Sequence, residues 1–86
     1  MTTNNIKVDA IRVNKRVVAT LSWWRECGLS DLQMVNKCDD AIAVKQMVLE
    51  TLPECPYTDE KTKEKELQIA AETIAVMKAI RRELYY

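Results

Sequence analysis

Ser30-Asp31-Leu32-Gln33-Met34-Val35-Asn36-Lys37-Cys38 opens a stretch that runs without glycine or proline as far as Leu52-Pro53. Serine followed three residues later by glutamine is a capping box. The Ser30 hydroxyl can accept from the Gln33 amide N–H while the Gln33 side chain accepts from the Ser30 N–H. Asp31 falls in the first turn, where the helix dipole favours an anion. Leu32, Val35, Cys38, Ile42, Leu49 and Leu52 form an apolar stripe interrupted by Lys45, with Met34, Ala41 and Val48 beside it. The spacing predicts a helix from about residue 30 to Leu52, ended there because Pro53 disfavours helical geometry in the residue before it.

Towards the C-terminus, Glu54-Cys55-Pro56-Tyr57 reads as a short connector and Thr58 as the cap of a further helix. Asp59 and Glu60 in its first turn and Arg81 and Arg82 in its last match the dipole at both ends. Leu67, Ala70, Ile74, Met77, Arg81 and Leu84 make one stripe, and Ile69, Ala75, Val76, Ala79 and Ile80 a second beside it. A connector this short predicts an antiparallel hairpin of two helices, roughly 33 and 40 Å long at 1.5 Å per residue. Towards the N-terminus, Ile6, Ala10, Val13, Val17, Leu21 and Trp24 recur at alternating spacings of four and three, predicting a helix over about 5–27. Asn5 can cap it and Gly28 can close it. Ile6, Val8 and Ala10 also alternate like a strand, so the first dozen residues have a competing extended reading. The expected fold is all-α: one domain over residues 1–86, a helical hairpin with an additional N-terminal helix. The second stripe of the last helix has no evident cover within the chain, which predicts a homo-oligomer.

Composition agrees and excludes several functions. Of 86 residues, 48% are hydrophobic and 30% charged, with one Gly and two Pro, a helical rather than a turn-rich β composition. A core this small rarely supplies more than about 3–5 kcal/mol. With no His there is no Ser-His-Asp triad, Cys-His dyad or His-ligated metal. A single Gly leaves no phosphate-binding loop. Cys27, Cys38 and Cys55 have neither disulfide-framework nor zinc spacing, and are expected as partly buried free thiols in a reducing cytoplasm. No apolar run approaches the roughly 20 residues of a membrane span, and the polar start carries no signal-peptide core. The sequence calls for no cofactor, no metal and no enzyme activity.

Net charge is zero, but unevenly distributed. Residues 1–26 carry five basic groups against two acidic, residues 27–60 two against seven, and residues 61–86 six against four. The balance argues against duplex DNA as a partner. It suits basic ends meeting an acidic middle, within a chain or between chains.

Trp23-Trp24-Arg25 is the oddest local feature. Adjacent helical residues point about 100° apart, so one packed core cannot easily hold both indoles. One reading makes Trp24 core and leaves Trp23 at the surface. The other makes an indole a stacking platform for a base, with Arg25 near a phosphate. Asp39-Asp40 with Asp31 reads as solvated surface, since adjacent acids on a helix diverge. Lys61-Thr62-Lys63-Glu64-Lys65-Glu66 reads as the exposed opening of the last helix, with a lesser role as a phosphate-contacting edge.

Trp24-Arg25-Glu26 followed by Met34-Val35-Asn36, with Asn36 twelve residues after Trp24, resembles a pattern in small phage proteins, the anti-CBASS cyclic-nucleotide sponges. Glu54-Cys55-Pro56 and the returning Ala75-Val76-Met77 and Ala79 resemble that family's Cys-Pro turn and Ala-rich helix. Together these cover roughly residues 24–84. The resemblance implies a non-enzymatic, symmetric oligomer in the host cytoplasm that binds cyclic di- and trinucleotide signals at subunit interfaces and so blunts host defence. It implies a base stacked on Trp24. Where the family has a ligand-contacting lysine this sequence has Asp39, and Asn14, Lys15 and Arg16 could supply the positive charge instead. The expected ligand-binding residues are therefore Trp24 and Arg25, followed by Lys37, Lys63 and Lys65. The alternative is a small helical protein-binding or DNA-binding regulator, with Trp23 as its docking residue.

Overall fold

The computed structural model describes residues 7–85. It contains α1 (Ala10–Glu26), α2 (Asp31–Thr51), a short 3-10 turn over Leu52–Glu54, and α3 (Glu60–Leu84), with no strand among the described residues. The all-α expectation holds.

Local chemistry sets most of the helix ends. At the start of α2 both halves of the capping box form: Gln33 N–H donates to Ser30 Oγ (3.1 Å) and Ser30 N–H to Gln33 Oε1 (2.8 Å). At the end of α1, Gly28 takes φ +82°, the left-handed conformation that a side chain disfavours. Its N–H donates to Arg25 O and the Leu29 N–H to Trp24 O, the paired bonds of a Schellman closure. Leu29 then packs back against the core that contains Trp24.

Three predicted ends are corrected. α1 starts at Ala10, because the Asp9 carboxylate accepts from the N–H groups of Ile11 (2.9 Å) and Arg12 (3.4 Å) and makes the cap there. Lys7 and Val8 precede it outside the helix, and Asn5 and Ile6 lie outside the described residues. The cap of α3 is Asp59, one residue after Thr58. Its carboxylate accepts from Thr62 N–H at 2.8 Å, and the Thr62 hydrogen bonds hold that carboxyl below its ordinary range. Leu52 keeps helical angles (φ −63°, ψ −38°) despite the following proline. What ends α2 is the missing N–H of Pro53: the chain tightens into a 3-10 turn that contains it.

α2 and α3 form the expected antiparallel hairpin. Arg81 meets Asp39 at one end (3.3 Å), and Lys63 Nζ donates to the Pro53 carbonyl at the other (3.2 Å). α1 lies along α3 in the same sense, since Gln68 Nε2 donates to the Lys7 carbonyl (2.6 Å) and Arg12 and Arg16 meet Glu72 further on. The core joins Val13, Val17, Leu21 and Trp24 of α1 to Met34 and Cys38 of α2 and Val76 and Ile80 of α3. The second stripe of α3 is covered in part inside the chain: Val76 and Ile80 are fully buried and Ala75 and Ala79 half-buried, while Ile69 stays 40% exposed. This corrects, for Val76 and Ile80, the expectation of a stripe without cover. A second correction falls on α2, where Leu32 is 70% exposed and Met34, placed beside the main stripe, is 1% exposed at the centre of the core. The molecule measures 41 × 23 × 19 Å, a rod set by the length of α3.

Glu72 is the buried charged residue of this packing among the described residues. Its carboxylate oxygens meet Arg16 Nη1 (3.1 Å) and Arg12 Nη2 (3.2 Å), so two guanidiniums of α1 clamp one buried carboxylate of α3. Burying an unpaired carboxylate is prohibitive, so this site admits α1 only in the register that brings both arginines over it.

The three thiols sit in different environments: Cys27 exposed, Cys38 fully buried, Cys55 half-buried in the connector, which corrects the expected partial burial at Cys27. Burial first, then the neighbouring Asp39 carboxylate, pushes the Cys38 thiol up to about 11, against a smaller opposing effect of Arg81. Cys55 Sγ lies 3.3 Å from Thr58 Oγ1. That hydrogen bond, with a backbone N–H bond from Tyr57, holds its thiol below the ordinary range. At pH 8 a maleimide should therefore label Cys55 and Cys27 within minutes and Cys38 only on unfolding, read by intact mass with Cys38→Ala as the reference. Equal labelling of Cys38 would contradict its placement.

Candidate functional site

The sequence nominated five ligand-binding residues, and the structure does not bring them into one site. Trp24 and Lys37 share a groove. Its lining comes from all three helices: Trp24 from α1, Lys37, Asp40, Ala41, Val44 and Lys45 from α2, and Met77 from α3, around about 430 Å3 of open space. Trp24 is only 7% exposed, so most of its indole belongs to the core; the indole with a free face is Trp23, at 62%. Arg25 is exposed on α1 in a separate hollow with Val18, Leu21, Ser22 and Glu26. Lys63 and Lys65 stand at the opening of α3, separated from Met77 by about 21 Å of helix or slightly less for Lys65. Lys63 is already engaged with the Pro53 carbonyl and with Glu60 at 3.7 Å, while Lys65 is exposed.

The groove is apolar on one side, through Ala41, Val44 and Met77, and charged on the other. Lys37 is exposed and Lys45 half-buried, which leaves the aliphatic stem of Lys45 against its neighbours in the manner of long amphipathic side chains. Asp40 supplies one carboxylate against these two cations. Asp39, the acid at the position where the resembled family has a lysine, is paired to Arg81 outside this lining.

The chain finds no match among family models, curated proteins or solved structures. The chemistry of the groove has to be read from its own residues.

Three features escaped the sequence reading. Lys45 interrupts the apolar stripe of α2 in sequence, and in the structure it lines the groove. The Arg12–Glu72–Arg16 cluster joins residues 56 to 60 positions apart, and no local spacing announces such a pairing. Lys78, Arg81, Arg82 and Tyr85 line a hollow on the last turns of α3, a grouping that the dipole complement at Arg81 and Arg82 does not announce. Among the described residues no three acidic or thiol groups are placed to hold a metal ion, and no helix is long and apolar enough to cross a membrane.

Proposed function

We propose that this chain is a non-enzymatic binding protein that sequesters a cyclic di- or trinucleotide signal in the cytoplasm, working as a homo-oligomer in the manner of the phage counter-defence sponges that residues 24–84 resemble. The observation that carries the reading is the groove at Trp24, Lys37, Lys45 and Met77. An apolar wall suits the flat face of a nucleobase, and two ammonium groups beside it suit a phosphodiester. The ion pair of Asp39 with Arg81 softens the repulsion that the acid would otherwise exert. Nothing in the groove offers an activated nucleophile paired with a base, so its chemistry is retention of the ligand unchanged.

Lys37→Glu tests this reading. Lys37 is exposed, so folding stability should stay within about 0.5 kcal/mol of wild type. Affinity for a cyclic dinucleotide should fall at least about tenfold, since a charge-assisted contact is worth about 1.5–3 kcal/mol. Titration calorimetry checks it, with Lys61→Glu, at the far end of α3, expected to leave affinity unchanged. Equal affinity for wild type and Lys37→Glu would remove the groove from the account. The second reading, docking of a protein partner, is favoured by one observation, the exposed Trp23.

A further inference from the structure

We infer that the outward face of α1 packs on the outward face of α2 of a second copy, antiparallel, with Lys15 and Arg25 opposite Glu50 and Asp40. This goes beyond self-association, which the ligand reading already contains, by naming the two faces, and it does not rest on the nucleotide.

Each of the two helices leaves one face uncovered. On α1 the residues at Ile11, Lys15, Val18 and Arg25 share one face, turned away from the core and exposed. The face mixes large aliphatic side chains with positive charge, and Glu26 borders it beside Arg25. On α2 the face opposite the core carries Asp40, Ala43, Met47 and Glu50, also exposed and without a basic residue. Val18 and Met47, 69% and 63% exposed, put apolar area at the middle of each face. None of Lys15, Arg25, Asp40 and Glu50 makes an ion pair among the described residues.

Charge and spacing together select the occupant. Lys15 and Arg25 are ten residues apart, and so are Asp40 and Glu50. On α-helices both separations are about 15 Å. Setting the helices antiparallel with Lys15 opposite Glu50 therefore also sets Arg25 opposite Asp40. The same register puts Val18 against Met47 and the small Ser22 against Ala43, where two backbones can approach. The two faces lie on different helices of one chain, so the contact is heterologous, and copies related by an axis along the rod form a ring when the rotation between them divides a full turn and an open filament when it does not. Within one chain the faces cannot meet, because each points outward from the shared core.

Sedimentation velocity without any nucleotide tests the pairing. Wild type should sediment as a species larger than one chain at tens of micromolar. Lys15→Glu/Arg25→Glu and, separately, Asp40→Lys/Glu50→Lys should each sediment as monomers, with helix content and urea midpoint unchanged. Mixing the two monomeric variants should restore assembly, because each then offers the face that the other lacks. Restoration requires both chains to be folded, and the neutral pair Lys15→Gln/Arg25→Gln should weaken assembly without reversing charge. A monomeric wild type, an assembled charge-reversed variant, or two monomeric variants that fail to combine would each overturn the proposal. None of these results depends on whether the groove binds a nucleotide.

Discussion

Trp24→Ala should leave the protein largely unfolded at room temperature. Trp24 is 7% exposed and packs with Val13, Val17 and Leu21 of its own helix and with Met34, Cys38, Val76 and Ile80 across the core. Removing a buried indole costs about 3–5 kcal/mol, the lost transfer energy plus the unfilled cavity. A domain of this size holds a total of about the same amount. The loss reaches the end of α1 as well, since Leu29 folds back on the same cluster after the Schellman closure at Gly28. Trp23→Ala, one residue earlier at an exposed position, should change stability by no more than about 0.5 kcal/mol. Urea unfolding followed by far-ultraviolet circular dichroism separates the two. A Trp24→Ala midpoint equal to that of wild type would mean that the indole is a free platform and not core.

The second large effect is expected at Glu72. Its carboxylate accepts from Arg16 at 3.1 Å and forms an ion pair with Arg12 at 3.2 Å, and its side chain is 7% exposed. Hydrogen bonds to charged groups contribute roughly 1.5–3 kcal/mol each in favourable cases. The Arg12 side chain is 69% exposed and the Arg16 side chain 41%, so both guanidiniums recover water when the carboxylate is removed. The expected cost of Glu72→Ala is therefore about 2–3 kcal/mol, below that of a fully enclosed ion pair. Arg12→Ala should cost under about 1 kcal/mol, because Arg16 still neutralises Glu72 and the lost arginine is the more exposed. The double variant Arg12→Ala/Arg16→Ala should cost more than the two singles together, since it alone leaves the buried carboxylate without a partner. Thermal unfolding of the four proteins measures the asymmetry. Equal losses from Glu72→Ala and Arg12→Ala would contradict the clamp.

These two residues also mark where sequence was readable. Ser30 and Gln33 form a cap from atoms three residues apart, and the Gly28 closure needs only the neighbouring turn, so both are legible in the chain. Val13, Val17, Leu21 and Trp24 follow the helical period and are the buried face of α1. α2 is different. Val35, Cys38 and Ile42 of the expected stripe are buried, but Leu32 of the same stripe is exposed and Met34 beside it is buried, so periodicity places the face without fixing its edges. Tertiary packing fixes those edges. The cover over the second stripe of α3 depends in turn on where α1 lands, and α1 is held by Glu72, 56 positions after Arg16. The candidate site divides the same way. The residue types were foreseeable, but their grouping was not: Lys37 joins Trp24, while Arg25, Lys63 and Lys65 fall elsewhere.

The binding account is tested most directly by equilibrium dialysis of the intact chain against a cyclic dinucleotide and, separately, a cyclic trinucleotide. The ligand is recovered from the protein side after denaturation and its mass measured. The account predicts an excess of at least one of the two on the protein side, in fixed proportion to the chain and with its mass unchanged. Equal concentrations of both ligands on the two sides, or recovery of a cleaved product, would contradict it.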